Sequence, residues 1–342
     1  MINPETTRTA LILLLISTLA LSCQSSEVTP PVHPMNEPVA IIWDDDGSID
    51  GVTALLYFLE HPLVDVKAAT ISPGIAHSQV FAPQLAAFLE MQGAQGVAVA
   101  AGPEQPLSGD NTFPRDWRSA SDRFWDVDFP DVSKPPDERT AAELIVDVLQ
   151  GSEEQVTIFV SGPLTNLAEA FRIDPSITER IRSVEVMGGA LEVNGNVDSS
   201  PSAEWNIYID PVAANEVITS GVAIRLTPLD TTDRIRWTES DAAICSAANR
   251  PAGAMAAQLL RYTMNDWSSS LVLVWDLVSV LNVADRGLCQ WEQLHVEVVE
   301  IAGRNQGQTV IADNKPANID ACLSPDVDAY NASAETVFGG TQ

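Results

Sequence analysis

The stretch 41-IIWDDDGSIDGVTALLYFLEHP-62 places Asp44, Asp45, Asp46 and Asp50 directly behind an apolar run. Carboxylates this close repel one another and need a counter-charge, which a bound metal ion commonly supplies. An EF-hand loop starting at Asp44 would end on a bidentate Glu, and Leu55 stands there instead. The cluster must therefore belong to another kind of site, and the surrounding elements indicate which.

Val39 to Trp43 reads as a buried strand, and Val52, Leu55, Leu56 and Leu59 follow at helical spacing until His61-Pro62 ends the run. Strand-like segments at 64–71, 97–101, 155–161, 182–187 and 222–226 alternate with helix-like ones at 78–91, 139–150, 164–172 and 211–219. Helical segments near 239–248, 252–267 and 276–284 come next, and strands near 293–301 and 308–312 end the pattern. This alternation predicts an α/β fold: a single Rossmann-like domain over 39–342, with a mainly parallel central sheet flanked by helices. Residues 103–137 show no period and read as an insertion forming a rim or lid. In such sheets ligands lie beyond the carboxyl ends of the strands, where the aspartates, Ser161 and Met187 all fall.

The formal net charge of −29 argues against nucleic acid or anionic membrane as a partner. Arg8 and the apolar run 10–22 have the form of an export signal, too short for a membrane span. The tail ALSC resembles a bacterial lipobox, which makes Cys23 the expected lipidation site. Residues 23–38 then read as a flexible tether. The expected location is the periplasm or a membrane surface, with the lipid anchor as the sole membrane contact. Of the other cysteines, Cys289 and Cys322 are a candidate disulfide, with buried thiols as the alternative; no spacing suggests zinc.

Several segments in chain order resemble the inosine/uridine-preferring nucleoside hydrolase family. The family opens on a strand and Asp-x-Asp-Pro-Gly-x-Asp-Asp, and 44-DDDGSIDG-51 stands in that register. The segment 161-SGPLTNLA-168 is similar to its Gly-Pro-Leu-Thr-Asn segment. The longest match joins 187-MGGALEVNGNV-197 to 203-AEWNIYIDPVAA-214, and 275-WD-276 and 304-RNQGQTV-310 complete the series. The resemblance implies hydrolysis of a nucleoside N-glycosidic bond through an oxocarbenium-like transition state. It implies one Ca2+ held by Asp46, Asp276 and the Ser161 carbonyl, with Asp46 as general base toward a metal-bound water. Ribose recognition would fall to Asp50, Asn196, Glu204, Asn206 and Asp276, with Met187 against the sugar and Trp205 stacking on sugar or base. Asp44 would support the cluster through hydrogen bonds. The expected assembly is a homo-oligomer, dimer or tetramer.

The chain departs from this pattern in four places. The family's second adjacent Asp, a metal ligand, is Gly51, so Asp45, Asp50 or water must fill in. Pro-Gly is replaced by Gly47-Ser48. The His that protonates a leaving purine in part of the family is Trp275, which leaves His77 as a distant candidate acid. An expected Asn is Ile75. Together these changes imply a branch with an altered leaving group. The alternatives are a non-catalytic ribose- or nucleoside-binding protein and a haloacid-dehalogenase-type phosphatase. The phosphatase would use Asp44 as nucleophile, Asp46 as acid/base and Ser161 in its second motif. It also needs a later Lys, and neither Lys134, in the insertion, nor Lys315, after the last strands, is in place. Among the remaining candidates, Asp210 before Pro211 reads as a helix N-cap and Asp230 as either turn or site. Trp117, Trp125 and Trp267 could line a base pocket or simply pack.

Overall fold

Strand β1 (Val39–Asp45) is buried along its whole length, as a continuous apolar run at the centre of a parallel sheet should be. The structure is a computed structural model, and it describes residues 37–129, 135–247 and 250–339. The leader, Cys23 and nearly all of the tether lie outside the described residues.

From β1 the chain runs through α1 (Ile49–Glu60), β2 (Val64–Ile71), α2 (Ser78–Met91), β3 (Ala98–Ala101), α3 (Arg115–Ser121), α4 (Ala141–Gly151), β4 (Val156–Val160), α5 (Thr165–Ile173) and β5 (Ile181–Met187). It continues through α6 (Trp205–Ile209), α7 (Pro211–Ile218), β6 (Ile224–Thr227), α8 (Leu229–Thr232), β7 (Arg236–Trp237), α9 (Glu239–Ala247), α10 (Pro251–Asp266), β8 (Val272–Leu273) and α11 (Trp275–Ala284). The last elements are β9 (Cys289–Leu294), β10 (Val296–Val298), β11 (Thr309–Ile311), β12 (Ile319–Pro325) and α12 (Val327–Gly339). Local chemistry fixes several boundaries. Thr140 and Glu143 form a capping box at the start of α4, and the Asp210 side chain caps α7 ahead of Pro211, as its sequence position predicts.

The central sheet has the order β3-β2-β1-β4-β5-β6-β12-β9. Every pairing is parallel except β12 with β9. Two buried apolar layers fill its faces, one built on Trp43, Leu55, Phe81 and Phe159 and the other on Ile42, Ile158, Leu167 and Val184. The strand order reverses between β1 and β4. The crevice beyond their carboxyl ends is where such sheets bind ligands, and it holds the aspartates and Ser161.

Three expectations change. The sheet does not end near 312: β12 inserts between β6 and β9, while β10 and β11 form a separate two-stranded ribbon. The insertion is not aperiodic, since it carries α3 and a tight turn at Phe124–Asp126. All three turn residues have positive φ. Left-handed backbone costs about 1–2 kcal/mol per residue. Burial of the Phe124 and Trp125 rings against Phe81 and Phe88 offsets it by about 2–3 kcal/mol each. Trp125 is therefore mainly a packing residue.

Cys289 and Cys322 are bonded, tying edge strand β9 to β12, and Cys245 is buried in α9 outside that bond. The bond closes a loop with a sequence separation of 33. Converting both cysteines to Ser should cost about 3–4 kcal/mol, since a longer unfolded loop is released. A thermal melt of the Cys289→Ser/Cys322→Ser variant checks this; a melting temperature equal to the parent's would count against it.

Candidate active site

The site is assembled from the N-termini of α1, α6 and α11 and the carboxyl ends of β1, β4 and β5. Ser48 caps α1, its hydroxyl accepting from the Gly51 amide at 2.8 Å. The same hydroxyl donates to Asp276 Oδ2 at 2.8 Å, in the first turn of α11. The Asp276 amide in turn donates to Asp50 Oδ2 at 3.3 Å. Asp50 and Asp276 thus face each other at the positive ends of two helices, where carboxylates are favoured.

Asp46 is 2% exposed, and the Ile75 amide donates to its Oδ2 at 3.2 Å. A Cβ at Gly74 would stand 2.2 Å from Asp46 Cβ, so only glycine lets the two loops close on it. Asp44 lies beneath, receiving Thr70 Oγ1 at 2.6 Å and Asn166 Nδ2 at 2.7 Å on Oδ1. This is the supporting role expected of it. The Gly-Pro-Leu-Thr-Asn-like segment contributes that Asn, and Thr165 of the same segment donates to Asp210.

Asp45 behaves differently from a metal ligand. Its Oδ1 accepts from the Gly47 and Ser48 amides at 2.7 and 3.0 Å. Its Oδ2 accepts from Ser161 Oγ at 2.7 Å and Ser48 Oγ at 3.3 Å. With the Gly47 amide, the Ser48 amide and the Ser161 hydroxyl engaged, and the Ser48 hydroxyl shared with Asp276, its carboxylate is committed to holding the loop, and it does not line the cleft. It also explains Gly51. A Cβ at 51 would meet Asp45 Oδ2 at 1.9 Å and Ser48 Oγ at 2.6 Å. The Asp45 carboxylate fills the space that a side chain at 51 would need. Gly51→Ala should therefore displace Asp45 and break several of these bonds, lowering stability in urea unfolding by roughly 2 kcal/mol or more. An unchanged unfolding midpoint would refute this.

On the opposite wall, Glu204 is 2% exposed. It accepts from the Asn206, Ile207 and Gly189 amides at 2.9, 3.3 and 3.0 Å, capping α6. Asn206 is buried and donates to the Met187 carbonyl at 3.1 Å. Asn196 is exposed at the rim, with its Oδ1 accepting from the Trp205 amide at 3.1 Å. The C-terminal segment fixes this wall from behind: Thr309 Oγ1 donates to the Ala190 carbonyl and accepts from its amide. Asp230 accepts from the Leu191 and Glu192 amides, which makes it a loop-holding residue.

Asp46, Asp50, Ser161, Met187, Asn196, Glu204, Trp205, Asn206, Trp275 and Asp276 line one cavity of about 210 Å³. A second, mostly apolar cavity of about 270 Å³ adjoins it, sharing Ser48, Asp50, Ile75, Trp117 and Trp275. His77 lines neither. Its Nδ1 lies 2.8 Å from Asp122 Oδ2, so the candidate acid is hydrogen-bonded to Asp122 at the start of α2. Sequence reading also missed Ser48, which bridges Asp45 and Asp276. It missed Phe113, stacked on Trp205 at 4.8 Å, and Asp233, which accepts from Trp275 Nε1 at 3.0 Å. The capping position of Ser48 before a helical run was the one available signal among these.

Burial pushes Asp44, Asp45 and Glu204 up to about 7. Asp46 is held well above the carboxylate range by burial and then by the charge of Asp45, and Asp276 by burial and then by Asp50. Among the described residues neither cavity is lined by Lys, Arg or His. Also among the described residues, no three His, Cys, Asp or Glu side chains stand ready-made around one metal position. The donor chemistry nevertheless fits a hard divalent cation. Asp46, Asp50 and Asp276 are oxygen donors without a cationic partner among the described residues, and Ser161 lines the same cavity.

A sequence signature of the inosine-uridine preferring nucleoside hydrolases matches residues 41–332. The chain belongs to this family. Its members are hydrolases of N-glycosyl bonds, and ribonucleoside hydrolysis is the family's reaction. The chain is 29% identical over 311 residues to the pyrimidine-specific ribonucleoside hydrolase RihB of Shigella sonnei, covering 88% of this chain and 97% of the relative. The RihB of Escherichia coli strain SE11 is 28% identical over the same span. In fold, the chain matches a purine-preferring ribonucleoside hydrolase from Gardnerella vaginalis, with TM-score 0.79, 22% identity and coverage of 88% and 98%. A plant nucleoside hydrolase matches with TM-score 0.79, 23% identity and coverage of 88% and 99%.

Proposed function

We propose that the chain hydrolyses a ribonucleoside or related ribosyl compound to ribose and free base, with the ribose in the carboxylate-lined cavity and Asp46 as general base. The observation that carries this reading is the convergence of Asp46, Asp50, Ser161, Glu204, Asn206 and Asp276 on one crevice at the switch point of the sheet. A Ca2+ ion held by Asp46, Asp50, Asp276 and the Ser161 carbonyl would lower the pKa of water and fix its position. Asp46 accepts the proton of the attacking water. Asp50, Glu204, Asn206 and Asp276 hold the sugar hydroxyls. Trp205, backed by Phe113, closes over the ring, while Met187 supports its apolar face. The test is ribose release from a panel of purine and pyrimidine ribonucleosides with added Ca2+. Failure to release ribose from any ribosyl compound, with nucleoside binding retained, would make the chain a binding protein instead.

We further propose export with a lipid anchor at Cys23, and assembly into a homo-oligomer. These proposals rest on the sequence, and membrane fractionation and gel filtration test them.

A further inference from the structure

Breaking a glycosidic bond to a neutral base leaves an electron pair on the ring nitrogen, and an acid usually supplies a proton there. Among the described residues, the leaving-group side offers Tyr262, whose phenol burial pushes above its ordinary value, and the exposed carboxyl of Asp266 in place of a His or Lys acid. Trp275 stands at the start of α11, and its indole N–H is taken by Asp233 at 3.0 Å. His77 is held by Asp122 outside both cavities. Among the described residues, no His, Lys, Arg or Cys lines the apolar cavity.

The cavity is instead lined by aromatic faces and acids. Trp267 and Trp275 lie 5.8 Å apart, tilted by 59°. Trp117 lines both this cavity and the sugar cavity, and Tyr262 and Asp266 are also part of the lining. Trp117 and Trp267 are 48% and 45% exposed at its mouth, unusual for rings that could bury themselves. Several indole rings in a lining that also includes Asp50 and Asp266 attract planar cations through the ring quadrupoles. The net charge of −29 favours the same ligands at long range.

We propose that this cavity receives a cationic heteroaromatic leaving group. The preferred substrate would then be an N-ribosylated pyridinium or similarly quaternised base rather than a neutral nucleoside. This rests on the reading that the adjoining cavity holds ribose. The reaction needs no acid. Water attacks C1′ and gives one proton to Asp46, then to solvent. The C1′–N bond breaks, and its electron pair stays on nitrogen, cancelling the ring's positive charge. Ribosyl-pyridinium cation and water become ribose, neutral pyridine and a proton.

The experiment compares 1-ribosyl-3-carbamoylpyridinium, uridine and inosine as substrates of the purified chain, its Trp267→Ala and Trp267→Phe variants, and Asp46→Asn as the blank. The pyridinium should be preferred in kcat/KM by roughly 30-fold or more, and Trp267→Ala should erase about 10-fold of that, with Phe restoring part. N-methyl-3-carbamoylpyridinium should quench tryptophan fluorescence at lower concentration than neutral 3-carbamoylpyridine, an effect weakened by Trp267→Ala. Uridine or inosine turned over as well as the pyridinium would overturn the inference and leave the nucleosidase reading standing. Ribose released from none of the three would overturn both.

Discussion

Asp46→Asn should lower ribose release by about 10³-fold or more while leaving the protein as stable as the parent, or more so. Asn is isosteric and keeps an oxygen for the Ile75 amide that donates to Asp46 Oδ2. It fits the same space between the close-packed loops at Gly74 and Gly162. What it cannot do is take a proton from water. Burial and the charges of Asp45, Asp50 and Glu204 disfavour an ionised carboxylate at this position in the metal-free protein, and a neutral amide avoids that penalty. The stability cost should therefore be absent or reversed. The two readouts separate chemistry from folding: a melting curve for integrity and a reducing-sugar assay for turnover. Asp46→Asn with near-parental activity would remove Asp46 as the base. A large drop in melting temperature would mean that the lost activity reports on folding.

The carboxylate cluster was legible because its elements obey simple rules. A continuous apolar strand ending in aspartates, followed by a serine cap and a helical period, fixes both the direction of β1 and the side of the sheet on which the acids emerge. Asp276, Glu204 and Asn206 became visible through a resemblance spread over distant segments, since each alone has an ordinary alternative as a cap or a surface residue. Burial of Glu204 and Asn206 disposes of the surface alternative. What stayed hidden was partner choice. Four aspartates look alike in sequence, yet Asp44 supports from below, Asp45 clamps the loop, and Asp46 and Asp50 face the cleft. Those roles depend on Ser161, Asn166 and Asp276, which lie far along the chain. Strand β12 was missed for a related reason. Its inward set Ile319, Ala321 and Leu323 alternates with Asp320 and Ser324, unlike the continuous apolar runs of β1 and β4, and its position is decided by β6 and β9 on either side.

The proposed sugar-binding wall leads to the second large effect. A 2′-deoxyribonucleoside should be hydrolysed about 10³-fold or more slowly, in kcat/KM, than its ribo counterpart. Asp50, Glu204, Asn206 and Asp276 bring three carboxylates and an amide to one cavity, and Glu204, Asn206 and Asp276 are buried. When a hydroxyl is missing, at least one of these groups loses its partner without regaining water, and a buried unpaired polar group is costly. Intrinsic reactivity points the other way. A 2′-hydroxyl withdraws electrons from C1′, so the deoxy sugar forms an oxocarbenium-like centre more easily in the absence of protein. Discrimination against it must therefore come from contacts made by the chain. Because hydrogen bonds to that hydroxyl strengthen as positive charge develops on the sugar, the loss should fall on kcat as well as KM. A deficit confined to KM would show that the wall binds ribose without following it to the transition state. Equal turnover of the two sugars would take Asp50, Glu204, Asn206 and Asp276 out of the role assigned to them.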